Sequence, residues 1–353
     1  MNAKTRGLLL NLGRIVLSVG LLAWIISSAG LTQLTEVARR ADWRLYALAL
    51  ALAFAGILVR SLRWRTLLDA VGAQVPFRRL VYLYFIGSFF NTFLPTGFGG
   101  DVVRVLEIGP GATSDQAAGT ALVDRLTGFI ILFVLALVTL PFSYRLLPAN
   151  LLVIISLMAL AVLGGSLLLF EGRLLRRATA WLPRSVSLAG DAWIGKTYAV
   201  ITACGRRGVL GALFWSLVFN LLQVLANVLV ARALGLSVSA WVFFMFVPLA
   251  TAVLLVPISI SGFGVREGLY VAVFGQLGVD PALAVALSLA TYALDFSTGL
   301  AGGVIYVAAG LLGLRGKPDQ TFPPQGTQVR GRSPSSPAPF ARTGKGERNN
   351  KDD

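Results

Sequence analysis

The chain has 353 residues, of which 56% are hydrophobic and only 13% charged, with a formal net charge of +15; soluble domains carry about a quarter charged residues, so this composition indicates an integral membrane protein. The bases lie between apolar runs, which marks them as cytoplasmic loops and contacts for anionic headgroups and not as a nucleic-acid surface. There is no histidine and Cys204 is the single cysteine, which excludes disulfide frameworks, Cys/His metal sites and Ser-His-Asp or Cys-His catalysis and leaves no cofactor implied.

A membrane-crossing helix needs about 20 mostly apolar residues. Six runs meet that length, at about 10–29, 45–63, 117–141, 150–170, 209–231 and 282–312. The first is longer than the apolar stretch of a signal peptide, and Ser27-Ser28-Ala29 is a weak cleavage site, so it reads as a span. Two shorter apolar runs, about 81–94 and 240–256, end at Pro95 and Pro257, and each continues through Gly-Phe-Gly into a second short segment. They read as broken, re-entrant hairpins, and backbone broken at that depth must face protein or a water-filled cavity. The fold class expected is therefore an all-α integral membrane protein with about six full spans plus two broken re-entrant hairpins. The loop 171–207 carries Trp181, Trp193 and scattered bases and suits an interfacial amphipathic segment, while 314–353 reads as a disordered basic cytoplasmic tail.

Lysines and arginines set the orientation. Lys4, Arg6 and Arg14, then Arg60 to Arg79, then Arg173 to Arg207, then Arg315 and Lys317 fall on one side if both termini are cytoplasmic. Arg39, Arg40 and Arg44 dissent, partly offset by Glu36 and Asp42. A shift of 165 residues lays Gly97-Phe98-Gly99 on Gly262-Phe263-Gly264, with long spans falling on long spans either side. The organisation expected is a membrane domain over 1–313 with repeat one at about 43–142, the linker 171–207 and repeat two at about 208–312. The hairpins enter from opposite faces, so the repeats are inverted, as in secondary transporters with a site at the repeat interface.

The breaks bring charges with them. Glycines at Gly97, Gly99, Gly262 and Gly264 permit positive φ and close approach, and a helix starting after such a break offers free N–H groups to an anion. Arg104 and Arg266 could reinforce that site for a phosphate. Asp101 and Glu267 either pair with those arginines or cap the short helices. Asp295 lies deep in the last span, where a carboxylate costs at least ~2.5 kcal/mol and must find a partner, with Arg266 the first choice. Asp124 and Arg125 open span three, Arg60 closes span two, and Arg60 and Arg125 could snorkel to the interface. Gly299, Gly302 and Gly303 fit close helix packing. Asn220, Gln223 and Asn227 make a polar stripe that would line a cavity or bond between helices.

The ordered stretches FLPTGFGGDVVRV, ALVDRLTG and VPISISGFGVREG, with VRSLRWRTLL before them, resemble the lysylphosphatidylglycerol synthase transmembrane region family, also called flippase-like domain proteins, over about residues 8–313. That resemblance implies a relation to the flippase half of bacterial multiple peptide resistance factors, which move aminoacylated phosphatidylglycerol. It also implies kinship with stand-alone members linked to hopanoid or polyprenyl-glycolipid pathways. By motif match Gly97, Gly99, Asp101, Arg104, Asp124, Arg125, Gly262, Gly264, Arg266 and Glu267 occupy the family's signature positions. Only a short tail follows residue 313, so a soluble aminoacyl-transfer domain is not expected. The expected function is a flippase-like transporter, not an enzyme, for a phospholipid or lipid-linked phosphate in the bacterial inner membrane. Its expected partners are a membrane lipid with an anionic headgroup, no nucleic acid, and either a second copy of the chain or a lipid synthase. The alternatives are an accessory subunit of a glycolipid or envelope-lipid pathway, or an intramembrane lipid-modifying enzyme.

Overall fold

A computed structural model describes residues 36–37, 39–93, 99–145, 147–170, 199–255 and 262–312. The expected span at 10–29, the tail from 314, most of the interfacial linker, and Pro95, Gly97, Phe98 and Pro257 lie outside the described residues. The described chain is helical, with α1 at Trp43–Ala70, α2 at Phe77–Phe93, α3 at Gly99–Leu106, α4 at Ser114–Ser143 and α5 at Ala149–Phe170. It continues with α6 at Gly205–Ala233, α7 at Ala240–Leu255, α8 at Val265–Gly275 and α9 at Pro281–Leu311. Five of these, α1, α4, α5, α6 and α9, are long and apolar enough to cross a membrane.

Local chemistry starts the long helices. Asp42 accepts from the amides of Arg44 and Leu45 at 2.9 and 3.4 Å and opens α1. Thr113 and Gln116 form a reciprocal capping box on α4. Asp280 accepts from the Ala282 amide at 2.8 Å, and Pro281 fixes the first turn of α9. Polar termini and apolar middles are what a bilayer demands of such helices.

Helix lengths recur. The order long, short, short, long runs 28, 17, 8 and 30 residues in α1–α4 and 29, 16, 11 and 31 in α6–α9. The first helices of the two halves are antiparallel partners. The Asp42 amide at the head of α1 donates to the Ala233 carbonyl at the foot of α6 at 2.8 Å. Gly56 packs on Phe219 midway, and Gly208 meets Ala70 at the far end. The halves also exchange helices. α2 packs along α9, where Phe90 meets Tyr306 and Phe93 meets Phe296, so this pair is antiparallel too. The counterpart pair, α7 and α4, meets where Trp241 stacks on Phe142 at 4.8 Å. α1 and α6, the first helices of the two sets, thus run in opposite senses, as an inverted arrangement would require.

In lipid the hydrophobic effect gives little drive for helix association, so contact area and close packing must supply it. The C-terminal half has an aromatic core in which Phe246 meets Tyr270 and Phe274 at 4.5 and 4.9 Å. The N-terminal half buries Trp64, Leu68, Leu80, Leu83 and Tyr84. α5 connects the halves and leaves Leu157, Leu160 and Leu167 outward for lipid. Gly299, Gly302 and Gly303 sit where α9 touches α2, and a Cβ on Gly302 would lie 1.9 Å from the Phe85 carbonyl oxygen.

Candidate functional site

Two polar assemblies meet between the halves. One is a sealed network of ion pairs in the N-terminal half. The other is a cavity of about 270 Å³ shared by α1, α2, α6, α8 and α9.

The network is built from residues that helical spacing puts on inner faces. Arg60, Arg63 and Trp64 share one face of α1, at i, i+3 and i+4. The Asp124 carboxylate on α4 accepts from Arg63 Nε at 2.6 Å through one oxygen and from the Tyr84 hydroxyl at 2.6 Å through the other. Arg63 also reaches Ser216 on α6 at 3.2 Å, so α1, α2, α4 and α6 are joined at one point. Asp124 and Arg63 are 1% and 4% exposed. Gly128 leaves room for this arginine, since a Cβ there would lie 2.9 Å from its Nη1.

Short helix α3 supplies the next layer. Arg104 donates to Asp101, one turn earlier, at 2.6 Å, and lies 3.6 Å from Asp124. Its guanidinium stacks over Tyr84 at 4.1 Å and Trp64 at 4.8 Å, faces rich in π density that hold a cation out of water. Its Nη1 is buried without a hydrogen-bond partner among the described residues. The second oxygen of Asp101 takes Arg125 of α4 at 2.7 Å. Asp101 therefore pairs, and Arg125 is braced inside the protein instead of snorkelling to the interface. Gly99 opens α3 in a buried position, and the amide of its neighbour Gly100 is satisfied by the Asn91 side chain at 2.8 Å.

Glu267 resolves the other way. It is fully buried, takes the Gly264 amide at 2.6 Å and the Ser288 hydroxyl at 3.3 Å, and so caps α8 and pins it to α9. Gly264 stands at φ 81° and Gly262 at φ 77°, conformations that a side chain would strain. The amide at the head of α8 that was expected to receive an anion is thus already occupied by the helix's own carboxylate.

The cavity gathers a different set. Arg60 projects from α1 over the Tyr84 and Phe219 rings at 5.0 and 5.4 Å, linking network and cavity. It lines the cavity and does not reach for the membrane surface as expected from its place late in the span. Arg266 of α8 lies over Tyr292 at 4.6 Å, and Asp295 of α9 completes the charged wall. Asp295 is exposed and lines this space. Asp295, for which Arg266 is the partner expected, shares the cavity wall with it. Ser88, Asn91 and Thr92 line one side, and Gln223 and Asn227 the other. The polar stripe of α6 is therefore divided. Gln223 and Asn227 face the cavity, while Asn220 is buried and donates to the Gly128 and Ser216 carbonyls. Thr291 stands in the same wall.

Of the eleven residues singled out by sequence, Arg266 and Asp295 line the cavity, Asp101, Arg104, Asp124 and Arg125 form the network, and Gly99, Gly262, Gly264 and Glu267 shape the short helices. Gly97 lies outside the described residues. Sequence reasoning missed Arg63 and Tyr84, the two partners of Asp124. Their signal was polarity at helical spacing inside apolar runs, Arg63 one turn after Arg60 and Tyr84 one turn before Ser88. Among the described residues no cluster of acidic, Cys or His side chains could hold a metal ion.

A family model described as lysylphosphatidylglycerol synthase TM region matches residues 11–303. Similar proteins include a UPF0104 membrane protein of Pyrococcus horikoshii, 22% identical over 82% of this chain and 95% of its own length. Another is a UPF0104 membrane protein of Methanothermobacter thermautotrophicus, 24% identical over 80% of this chain and 90% of its own. Multiple apolar helices and a family match over nearly all of the helical region agree: this multi-pass membrane protein belongs to the lysylphosphatidylglycerol synthase TM region family, a family of lipid-related function.

Proposed function

We propose that the protein is a transporter, not an enzyme, that moves a phospholipid or lipid-linked phosphate across the bacterial inner membrane, holding the headgroup in the cavity between its two halves. One observation carries the reading: two guanidiniums and a carboxylate converge on an open space midway along membrane-length helices. Charge so deep is expensive and marks a site of use. A cavity between antiparallel halves suits alternating access by rocking one half on the other. Arg60 and Arg266 are the phosphate ligands in this reading. Arg104, first expected to join Arg266, is committed to Asp101 and to two aromatic faces.

Reconstituted into liposomes, Arg60→Gln and Arg266→Gln should each slow lipid movement about ten-fold or more, the loss of a charge-assisted hydrogen bond. Undiminished movement in both variants would sink the reading.

The orientation proposed is both termini in the cytoplasm. Gly208 packs on Ala70, so Arg78, Arg79, Arg206 and Arg207 gather at one end of the bundle. Cys204 makes the test simple, because burial pushes its thiol up to about 11 and leaves it unreactive near neutral pH. A membrane-impermeant maleimide should leave the native protein unlabelled and should label Arg207→Cys only in inside-out vesicles. Labelling of Arg207→Cys in right-side-out vesicles would reverse the orientation.

A further inference from the structure

The charged side chains on the cavity wall, among the described residues, are Arg60, Arg266 and Asp295. Two guanidiniums against one carboxylate leave one positive charge. A wider circle keeps that balance. Arg63, Arg104 and Arg125 bring three more positive charges, and Asp101, Asp124 and Glu267 bring three negative ones. Five cations then face four anions throughout the polar interior. In a medium of low effective dielectric, uncompensated charge is costly, and the best occupant is the one that cancels it.

We infer that the cavity selects a headgroup of one net negative charge, that of a phosphodiester, over phosphomonoester, diphosphate and zwitterionic headgroups. This rests on the transport reading and narrows its substrate class. A phosphodiester between Arg60 and Arg266 neutralises the wall with Asp295 ionised. A doubly charged phosphomonoester leaves one negative charge beside Asp295. A zwitterionic headgroup leaves the positive charge standing. Asp295 is then the residue that sets the count at one. The volume agrees with this assignment. About 270 Å³ falls just below the ~300–1,000 Å³ of small-molecule pockets, room for a headgroup with its acyl chains outside. Amides and hydroxyls at Asn91, Gln223, Asn227 and Thr291 suit the hydroxyl-bearing substituent of such a diester.

The test compares acyl-labelled phosphatidylglycerol, phosphatidylethanolamine and phosphatidic acid, both as movement in liposomes and as lipid retained by the purified protein from an equimolar mixture. The natural protein should favour phosphatidylglycerol in both. Asp295→Asn raises the wall to two positive charges and should raise the ratio of phosphatidic acid to phosphatidylglycerol about ten-fold, the scale of one charge-assisted contact. Arg266→Gln makes the wall neutral and should shift retention towards phosphatidylethanolamine. Protection of Cys204 from maleimide reports that each variant is folded. A natural protein that favours phosphatidic acid or phosphatidylethanolamine overturns the inference, as does an unchanged ratio in both variants. If lipid is retained with the expected selectivity but none moves, the transport reading fails and the charge selection stands.

Discussion

Asp124→Asn will cost about 3–5 kcal/mol of stability, the loss incurred when one partner is removed from a buried ion pair. Asp124 is the node of the network. It takes Arg63 at 2.6 Å and Tyr84 at 2.6 Å, and Arg104 lies 3.6 Å away. Without its charge, Arg63 loses its carboxylate and Asp101 alone must serve both Arg104 and Arg125. The amide nitrogen that replaces one carboxylate oxygen would also face a donor, either Arg63 Nε or the Tyr84 hydroxyl. Arg63→Lys will not be a mild change. An ammonium cannot hold Asp124 and Ser216 at once in the fork that Arg63 makes with them. Thermal unfolding in detergent gives the readout. The pair Asp124→Asn and Arg63→Gln should lose less than the sum of its single variants, because each leaves the other's partner stranded. Additive losses would mean that the two residues act separately. The network ties four helices together, so this variant should also loosen protection of Cys204, which packs near Leu67 and Val123 of the same half.

How much of this was legible in the sequence depends on which physical signal carried it. Apolar length put α4, α5, α6 and α9 within a few residues of where they lie, while α1 continues to Ala70, well past the expected end at 63, because its last turns carry charge and fall outside an apolar count. The Gly-Phe-Gly breaks and their punctuation exposed the doubled order of helices even though residue identity is poor. What did not follow was the fate of each charge. Asp101 and Glu267 each lie in the first turn after a Gly-Phe-Gly, yet one pairs with two arginines and the other caps its own helix. The difference lies in neighbours brought by other helices: Arg125 stands beside Asp101, while Ser288 stands beside Glu267. Period and spacing tell which face a residue occupies, not what faces it. The same limit hid the division of labour between the halves. Counted from the start of their helices, Asp124 corresponds to Thr291 and Gly128 to Asp295. The N-terminal half spends its carboxylate on the brace, and the C-terminal half turns its own into the cavity. Arg60 lies late in its expected span, from where a long side chain could reach the surface. Its position over Tyr84 and Phe219 depends on α2 and α6, which no local pattern reveals.

Gly302→Ala should unsettle both the fold and transport, although alanine is the better helix former by roughly 0.5–1 kcal/mol. The added methyl would lie 1.9 Å from the Phe85 carbonyl oxygen and 2.6 Å from its carbon, backbone atoms that cannot rotate away. α9 must then retreat from α2, at a cost of about 1–3 kcal/mol or more for overpacking, which exceeds the propensity gain. The retreat also reaches the cavity. Ser88 and Thr92 of α2 and Thr298 of α9 are wall residues within a few turns of this contact. Gly299 touches Thr92 there, so separating the helices widens the space between Arg60 and Asp295. Lipid movement should fall along with the unfolding temperature. Gly164→Ala and Gly165→Ala in α5 supply the contrast, because a Cβ at either position meets nothing within 4 Å. These should be neutral or slightly stabilising and should leave transport unchanged. If Gly302→Ala matched them in melting temperature and in transport, the close approach of α2 to α9 would not be what holds the two halves in register.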